Sequence, residues 1–537
     1  MNNPRSQLPQ ATHHNTRQDS AVEPTGTNAS LDKRPAARAP SRPAAPRSGA
    51  RPFLRPFSFP ALLGALLAGA SFLVARLNLP DPDTWWHVAV GERILATRQW
   101  PTADIYSFTA HGAPWIAYEW LGEVPMALAA RLGGVSGLTV LLVALSATLM
   151  VLLYYFCARS CGNTKAAFAS CAALLPLATV SFRLRPQLCG YIFLLAALIC
   201  LERFRQGHAR SLWLLPPIFA LWVNTHGTFV FGLLVLGAYW TSGLTNHKWE
   251  GVETRAWTPP ERQQLAVVGL LSVLALLATP YGAQLAAYPV KMAASQPVNI
   301  GSINEWQAMP FNLLPGKMFL GFLVLFLMAM VTLRPTFRAE QLGLLFLAIY
   351  AASVHRRFLP FFIIMFAPLL SSLLARWAPP YNAAIDPYAL NAVLIALLAV
   401  GTVLLFPTRR AIDAVIAADY PQQAVDYLRR NPPPGPLFNQ YDWGGYLIWT
   451  LGPRQKVFVD GRSDLYEYSG VLQDSLRIAD LDSDALPLLG VYGVRACLIG
   501  RNSPLATLLN SQADWKRTYS DNLSSVFVRD ATSTAAP

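Results

Sequence analysis

Long apolar stretches recur along this chain of 537 residues and set the strongest limit on what it can fold into. An α-helix needs about 20 predominantly apolar residues to cross a ~30 Å hydrocarbon core. About eleven stretches approach this length, and they lie at residues 59–79, 135–157, 166–182, 187–204, 211–225, 227–244, 264–280, 317–333, 340–354, 358–375 and 389–406. The sequence therefore predicts a polytopic α-helical membrane protein with about 11 transmembrane helices.

The composition agrees with this prediction. Hydrophobic residues make up 53% of the chain and charged residues 14%, whereas soluble proteins carry about 25% charged residues. The formal net charge of +13 comes largely from Lys and Arg in the N-terminal tail and in loops between apolar stretches. This distribution is typical of membrane topology rather than of a nucleic-acid interface, so no nucleic-acid partner is predicted.

The positions of Lys and Arg also predict the orientation. The tail before Phe59 is rich in Arg, and alternate loops carry the remaining Lys and Arg clusters, so the N-terminus is expected in the cytoplasm. Three parts follow: a disordered cytoplasmic tail at 1–55, a transmembrane domain at 56–407 with a long first outer loop at 79–122, and an extracytoplasmic domain at 408–537. The tail also lacks the layout of a signal peptide.

Two aspartates, Asp81 and Asp83, directly follow the first apolar stretch. The segment from Asp83 to Leu95 predicts an interfacial helix with Asp83 as its N-cap, which would place His87 one turn from Asp83. At the end of the same loop, Glu119 and Glu123 share a helical face. Two interpretations are open for these four acids. They either cap helices and keep the loop soluble in water, or they contribute to a site at the outer membrane edge.

Basic residues break the expected charge pattern on the predicted outer side. They are Arg183, Arg185, Arg356 and Arg357. His226, Lys291 and the acidic Glu305 complete the charged and titratable set on that side. Arginine suits phosphate binding because its planar guanidinium offers several donors and stays charged. One arginine could merely extend to lipid phosphates, but four against the charge bias predict a site for an anionic headgroup.

The chain after residue 408 has shorter apolar runs and frequent turns. Runs typical of strands occur at 436–438, 456–459, 495–499 and 525–528, with helical segments between them, so a small α/β domain is predicted. The segments 441–446 and 459–462 place polar groups at strand ends, where α/β folds commonly bind ligands. The glycines after Trp443 do not form a phosphate-binding loop pattern.

These motifs together resemble the GT-C superfamily of integral membrane glycosyltransferases, the group that contains protein mannosyltransferases, oligosaccharyltransferases and bacterial lipid A aminosugar transferases. The resemblance rests on DPDTWWHVAVGERIL, PWIAYEWLGE, WVNTHGTF and DWGGYLIW followed by VFVDGR, and it covers essentially the whole chain after residue 55. It implies an acidic motif in the first outer loop, matched by Asp81 or Asp83. Because the two acids flank a proline here, the resemblance leaves open which is the base.

The resemblance implies that a sugar is transferred from a polyprenyl-phosphate carrier to a glycan, lipid or protein acceptor outside the bacterial inner membrane. Such a reaction needs a carboxylate to take the acceptor's proton, for which Asp81 and Asp83 are candidates. It also needs cations for the departing phosphate, and the candidates are Arg183, Arg185, Arg356, Arg357 and His226. No cofactor is certain, and a divalent metal held by Asp81, Asp83 and either Glu119 or Glu305 is left open.

Two other classes of protein are weighed against a transferase. A lipid-linked glycan transporter should show inverted repeats or broken helices near mid-membrane, which the sequence does not display. A polysaccharide ligase or polymerase with lipid-diphosphate donors typically relies on Arg and His in a late, large loop. The Asp-Pro-Asp segment directly after the first apolar stretch favours the transferase.

Overall fold

The structure is a computed structural model that describes residues 56–530. All of these residues belong to one compact unit. The predicted disordered tail at 1–55, with the arginines that support a cytoplasmic N-terminus, lies outside the described residues.

Helices dominate the part of the chain before residue 408. They are α1 Phe59–Ala75, α2 Pro82–Thr97, α3 Trp120–Cys161, α4 Thr164–Ala178, α5 Pro186–Arg205, α6 Leu215–Val223, α7 Phe229–Ser242, α8 Pro259–Ala275, α9 Ala283–Ser295, α10 Pro297–Ser302, α11 Leu314–Leu333, α12 Ala339–Val354, α13 Leu359–Leu374 and α14 Tyr388–Leu404. Three short strands, β1 His247–Trp249, β2 Val252–Thr254 and β3 Phe337–Arg338, form a small sheet between them.

Within residues 56–530, five helical segments are long and apolar enough to cross a membrane. They are Trp120–Cys161, Thr164–Ser181, Pro186–Arg205, Leu314–Leu333 and Arg356–Leu374, and a sixth is reached if α14 and the helix after it, bent by 61°, count as one span. Shorter apolar helices occupy other predicted stretches, such as Phe59–Ala75 and Ala339–Val354. The protein is therefore a helical membrane protein with a small sheet region, and the count of eleven crossings stays a prediction.

The predicted helix after the first apolar stretch is confirmed as α2, but its start differs from the prediction. The N-cap is Asp81 rather than Asp83, because the Asp81 side chain accepts a hydrogen bond from the Asp83 backbone N–H at 3.1 Å and Pro82 opens the helix. The apolar stripe of Trp86, Val90 and Ile94 is buried in the protein. In the described residues α2 packs against α3 and against the C-terminal region, so protein and not lipid headgroups covers the apolar stripe.

The C-terminal region, residues 408–530, contains α15 Arg409–Asp419, α16 Gln422–Arg430, α17 Gly444–Leu451, α18 Ser463–Tyr468, α19 Val471–Asp480, α20 Ala485–Val491 and α21 Pro504–Ser511. Its strands are β4 Leu437–Asn439, β5 Ala496–Gly500, β6 Trp515–Ser520 and β7 Ser524–Arg529, in the sheet order β4-β5-β7-β6. β4 and β5 are parallel and the other pairs antiparallel. Three of the four predicted strands are thus confirmed.

The fourth predicted strand, 456–459, pairs instead with the loop between α2 and α3. The Phe108 backbone N–H donates to the Val457 carbonyl at 3.1 Å, and the Val457 N–H donates to the Tyr106 carbonyl at 3.1 Å. The Thr109 hydroxyl donates to the Phe458 carbonyl at 2.6 Å. This pairing fixes the C-terminal region against the loop that follows α2.

Candidate functional site

Three carboxylates converge on the guanidinium of Arg185. Nε of Arg185 lies 2.7 Å from Asp81 Oδ1, and Nη1 lies 2.8 Å from Asp83 Oδ2 and 3.1 Å from Glu305 Oε2. Arg185 directly precedes α5, the two aspartates begin α2, and Glu305 lies in a single 3-10 turn after α10. Segments far apart in sequence thus build one charged cluster at helix starts.

A second arginine, Arg357, extends this cluster. Its Nη1 lies 3.5 Å from Glu305 Oε1, and its guanidinium carbon lies 3.9 Å from the centroid of the Trp306 ring. Burial would raise the pKa of Glu305, but Arg185 and Arg357 outweigh it and lower that pKa to about 2. Glu305 is therefore an anion held between two guanidinium groups. We call Asp81, Asp83, Arg185, Glu305 and Arg357 the arginine cluster.

The two aspartates of this cluster have different surroundings. The Asp81 side chain is 4% exposed and the Asp83 side chain 18% exposed. Trp86 Nε1 donates to Asp83 Oδ1 at 3.0 Å. Burial raises the pKa of Asp83 to about 7, although Arg185 opposes the shift. Asp83 is thus the more accessible acid, and it can gain or lose a proton near neutral pH.

A second group of titratable side chains surrounds His87. His87 Nε2 lies 3.2 Å from Glu119 Oε2, and Nδ1 lies 3.0 Å from Glu123 Oε1. His226 Nε2 lies 3.3 Å from Glu119 Oε1. All four side chains are buried, and we call them the histidine cluster. The predicted common face of Glu119 and Glu123 is confirmed, but His87 contacts these acids rather than Asp83.

Both imidazoles of the histidine cluster favour the neutral form. Burial, with Arg185 and His226 nearby, holds the pKa of His87 well below its usual value. Burial and Arg357 lower the pKa of His226 to about 3. The Thr228 backbone N–H donates to Nδ1 of His226 at 3.0 Å, so that nitrogen carries no proton and Nε2 donates to Glu119. His226 is therefore a hydrogen-bond donor rather than a cation.

The two glycine motifs of the C-terminal region pack against the start of α2. A methyl group on Gly461 would lie 1.8 Å from Asp83 Oδ1 and 2.9 Å from Trp86 Nε1. One on Gly445 would lie 2.5 Å from the Pro82 carbonyl oxygen. A side chain at Gly445 would meet backbone, and one at Gly461 would have to displace the Asp83 and Trp86 side chains. The C-terminal region forms one wall of the arginine cluster.

A buried ion-pair network beside this wall was not predicted. Arg462 is fully buried, and its Nη1 contacts Asp104 Oδ1 at 2.6 Å. Its Nε and Nη2 contact the two oxygens of Asp460 at 2.8 and 2.7 Å, and its guanidinium carbon lies 4.8 Å from the Trp115 ring centroid. The sequence of segment 459–462 indicates polar groups at a strand end, but it carries no signal for Asp104 as their partner.

Three predicted site residues lie outside both clusters. Arg183 is exposed, and its guanidinium donates to the Pro80 carbonyl at 3.0 Å. Lys291 is exposed, with its ammonium 5.2 Å from the Tyr468 ring centroid. Arg356 adjoins the arginine cluster in sequence, and its backbone N–H donates to the Gln307 carbonyl at 3.0 Å.

The predicted metal set was Asp81, Asp83 and either Glu119 or Glu305. Carboxylate oxygens are suitable ligands for a divalent ion, but the guanidinium of Arg185 already takes the position between Asp81, Asp83 and Glu305. Glu119 faces the two imidazoles of the histidine cluster instead. Within residues 56–530, no group of three or more His, Cys, Asp or Glu side chains has an arrangement that could hold a metal ion. The residues around Arg185 therefore do not fit a divalent metal.

Comparison with known proteins gives structural neighbours only. No protein-family model matches this chain, and no curated protein matches it. The chain is similar to an archaeal oligosaccharyltransferase, AglB from Archaeoglobus fulgidus, solved with an inhibitory peptide and a dolichol-phosphate: TM-score 0.48, 9% identity, covering 88% of this chain and 74% of that one.

It is also similar to ArnT from Cupriavidus metallidurans, solved with undecaprenyl phosphate (TM-score 0.47, 16% identity, 88% of this chain and 98% of that one) and in the apo state (TM-score 0.48, 17% identity, with the same coverage). All three TM-scores lie below 0.5, so the role of the site is inferred from this chain's own residues.

Proposed function

We propose that this protein is a membrane glycosyltransferase that moves a sugar from a polyprenyl-phosphate-linked donor to a glycan, lipid or protein acceptor. The observation that carries the proposal is the arginine cluster: a partly exposed carboxylate, Asp83, lies within one cluster with two guanidinium groups, Arg185 and Arg357. Glycosyl transfer from a phosphate needs a base for the acceptor and cations for the leaving group. The cluster supplies both.

Asp83 is the proposed general base. It takes the proton of the acceptor hydroxyl or amine while the acceptor atom bonds to the anomeric carbon and the bond from that carbon to the phosphate oxygen breaks. Its pKa of about 7 suits this task, because a base works best when its pKa is near the operating pH. Asp81 is a positioning residue, since it is nearly buried, caps α2 and holds Nε of Arg185.

Arg357 is the proposed main contact of the departing phosphate. Arg185 already contacts three carboxylates, whereas Arg357 has Glu305 as its acidic partner and its guanidinium carbon lies over the Trp306 ring. Arg356, next to it in sequence, is proposed to add charge at the same place. Neutral His226 can donate a hydrogen bond but adds no charge. Arg183 is exposed, and we propose that it interacts with lipid headgroups.

The proposed reaction takes place on the outer side of the bacterial inner membrane. The distribution of Lys and Arg supports a cytoplasmic N-terminus, an extracytoplasmic C-terminal region and the three-part division at residues 55 and 407. Polyprenyl-linked sugars are the natural donors there because nucleotide sugars are not supplied outside the cell.

The test compares Asp83→Asn with Glu92→Gln in cells that lack the chromosomal gene. Glu92 lies on the same helix, and its carboxylate makes no ion pair or hydrogen bond within residues 56–530. Mass spectrometry of surface polysaccharide, lipid A and lipid-linked sugars is the readout. We expect the product glycan to be lost and the polyprenyl-phosphate sugar to accumulate with Asp83→Asn, and both to be normal with Glu92→Gln at equal protein level.

Other outcomes separate the alternatives. Normal product with Asp83→Asn overturns the transferase assignment. Accumulation of a lipid-diphosphate-linked glycan identifies a ligase or polymerase. Lipid-linked sugar held on the cytoplasmic side identifies a transporter.

A further inference from the structure

Arg185 occupies the position that a cation would take among three acids. Asp81, Asp83 and Glu305 each place an oxygen 2.7–3.1 Å from a guanidinium nitrogen of this one side chain. The Asp81 carboxylate is 4% exposed, so it cannot turn to water for solvation. A positive charge at this place therefore compensates the buried carboxylate of Asp81.

The backbone determines where these charged residues start from. Asp81 and Asp83 are joined through the first turn of α2, and Arg185 is the N-cap of α5, with the extended backbone that Pro186 favours in the residue before it. Burial disfavours the charge on Arg185, but attraction to Asp81 and Asp83, joined by Glu305, outweighs it and raises its pKa well above the usual value. The guanidinium is thus a cation at any biological pH.

We propose that Arg185 stands in place of a divalent metal, so that this protein holds its acidic motif with a built-in guanidinium and binds no divalent ion there. The inference deepens the proposed function, since it assigns the cation of the same site. It also makes a prediction independent of sugar transfer. In their present arrangement these acids could not hold a metal ion. Removing the guanidinium should leave three carboxylates free to close around one, and carboxylate oxygens are suitable ligands for divalent ions.

The experiment measures Mn²⁺ binding to the purified full-length protein in detergent, by electron paramagnetic resonance and by the Mn²⁺-dependent shift in melting temperature. Wild type should show no saturable site, and Arg185→Ala should gain one saturable Mn²⁺ site. Arg183→Ala is the matched control, because Arg183 lies two residues away and makes no contact with these acids. It should behave as wild type.

Two further variants locate the ion. Arg185→Lys keeps a positive charge and should gain no Mn²⁺ site. The double change Arg185→Ala with Asp83→Asn should lose the site that Arg185→Ala gained. If Arg185→Ala does not fold, Arg185→Gln and the wild-type measurement carry the test.

Two results would overturn the inference: a saturable Mn²⁺ site in wild type that Asp83→Asn removes, or a folded Arg185→Ala protein with no Mn²⁺ site. Neither result depends on an assay of transfer. A failure of the proposed function would appear instead in the glycan analysis of Asp83→Asn, so the two failures are distinguishable.

Discussion

Gly461 of the C-terminal region lies directly against Asp83, close enough that a methyl group on its α-carbon would come within 1.8 Å of Oδ1. The contact joins the start of α2 to a loop almost at the other end of the chain. It means that the geometry of Asp83 depends on how the C-terminal region is packed.

We therefore expect Gly461→Ala to impair the proposed transfer. The added methyl group must displace either the Asp83 carboxylate or the loop, at a cost of about 1 to 3 kcal/mol. Gly490→Ala is the control, because an added methyl group there meets nothing within 4 Å. Product formation and melting temperature should both fall for Gly461→Ala and stay unchanged for Gly490→Ala. Full activity of Gly461→Ala would contradict the close approach.

The rate of the proposed transfer should depend on pH with an acidic limb near 7. Asp83 must be ionised to take a proton, and burial raises its pKa from 3.8 to about 7, so the rate should rise with pH below that value and level off above it. The pH profile of kcat/KM in reconstituted vesicles measures this. Glu92→Gln should keep the limb, whereas a limb near 3.8 would contradict the raised pKa of Asp83.

The same shift predicts the sign of a stability change. The unfolded chain releases the Asp83 proton more readily than the folded protein, so this carboxyl contributes stability at low pH that is lost as the pH rises from 3.8 to about 7. The melting temperature of Asp83→Asn should therefore vary less with pH over this interval than that of wild type.

Asp104→Asn should destabilise the protein strongly. It removes one of the two carboxylates that compensate the buried charge of Arg462, and breaking a buried pair costs about 3 to 5 kcal/mol. Asp413→Asn is the control, since the Asp413 pair with Arg409 is exposed and worth about 1 kcal/mol or less. Thermal unfolding in detergent measures the difference. Equal stability of the two variants would show that Arg462 is satisfied without Asp104.

Arg357→Gln should lower kcat by about 100-fold, because the charge that stabilises the departing phosphate is removed. Arg357→Lys should recover part of the loss, since it restores the charge but not the guanidinium contact with the Trp306 ring. Arg376→Gln is the control, because Arg376 follows α13 at the end opposite to Arg357 and donates to the Leu333 carbonyl. Steady-state kinetics with the lipid-linked donor measures the effect, and unchanged kcat in Arg357→Gln would remove Arg357 from the proposed chemistry.

The meeting of Asp81 with Arg185 could be predicted from the sequence because depth in a membrane is readable from it. Both residues directly flank apolar helices, so hydrophobic length alone places them near one plane. The helical face shared by Glu119 and Glu123 followed in the same way from helix periodicity. These are properties of single segments and of their ends.

Other features could not be predicted because they depend on how distant segments pack. Arg462 and Asp104 are 358 residues apart in sequence, and neither has a local signal for the other. His87 was expected near Asp83, one turn away, but α3 brings two glutamates closer to it. β6 was missed because most of its side chains are polar and exposed, which is typical of a loop as much as of an edge strand.

The pairing of residues 106–109 with 457–458 has a consequence for biosynthesis. A nascent chain that ends before residue 456 already contains every candidate membrane helix of the described residues and both aspartates of α2. It lacks the segment that pairs with residues 106–109 of the loop between α2 and α3. The wall around Asp83 is completed only when the segment up to Gly461 has been translated and docked.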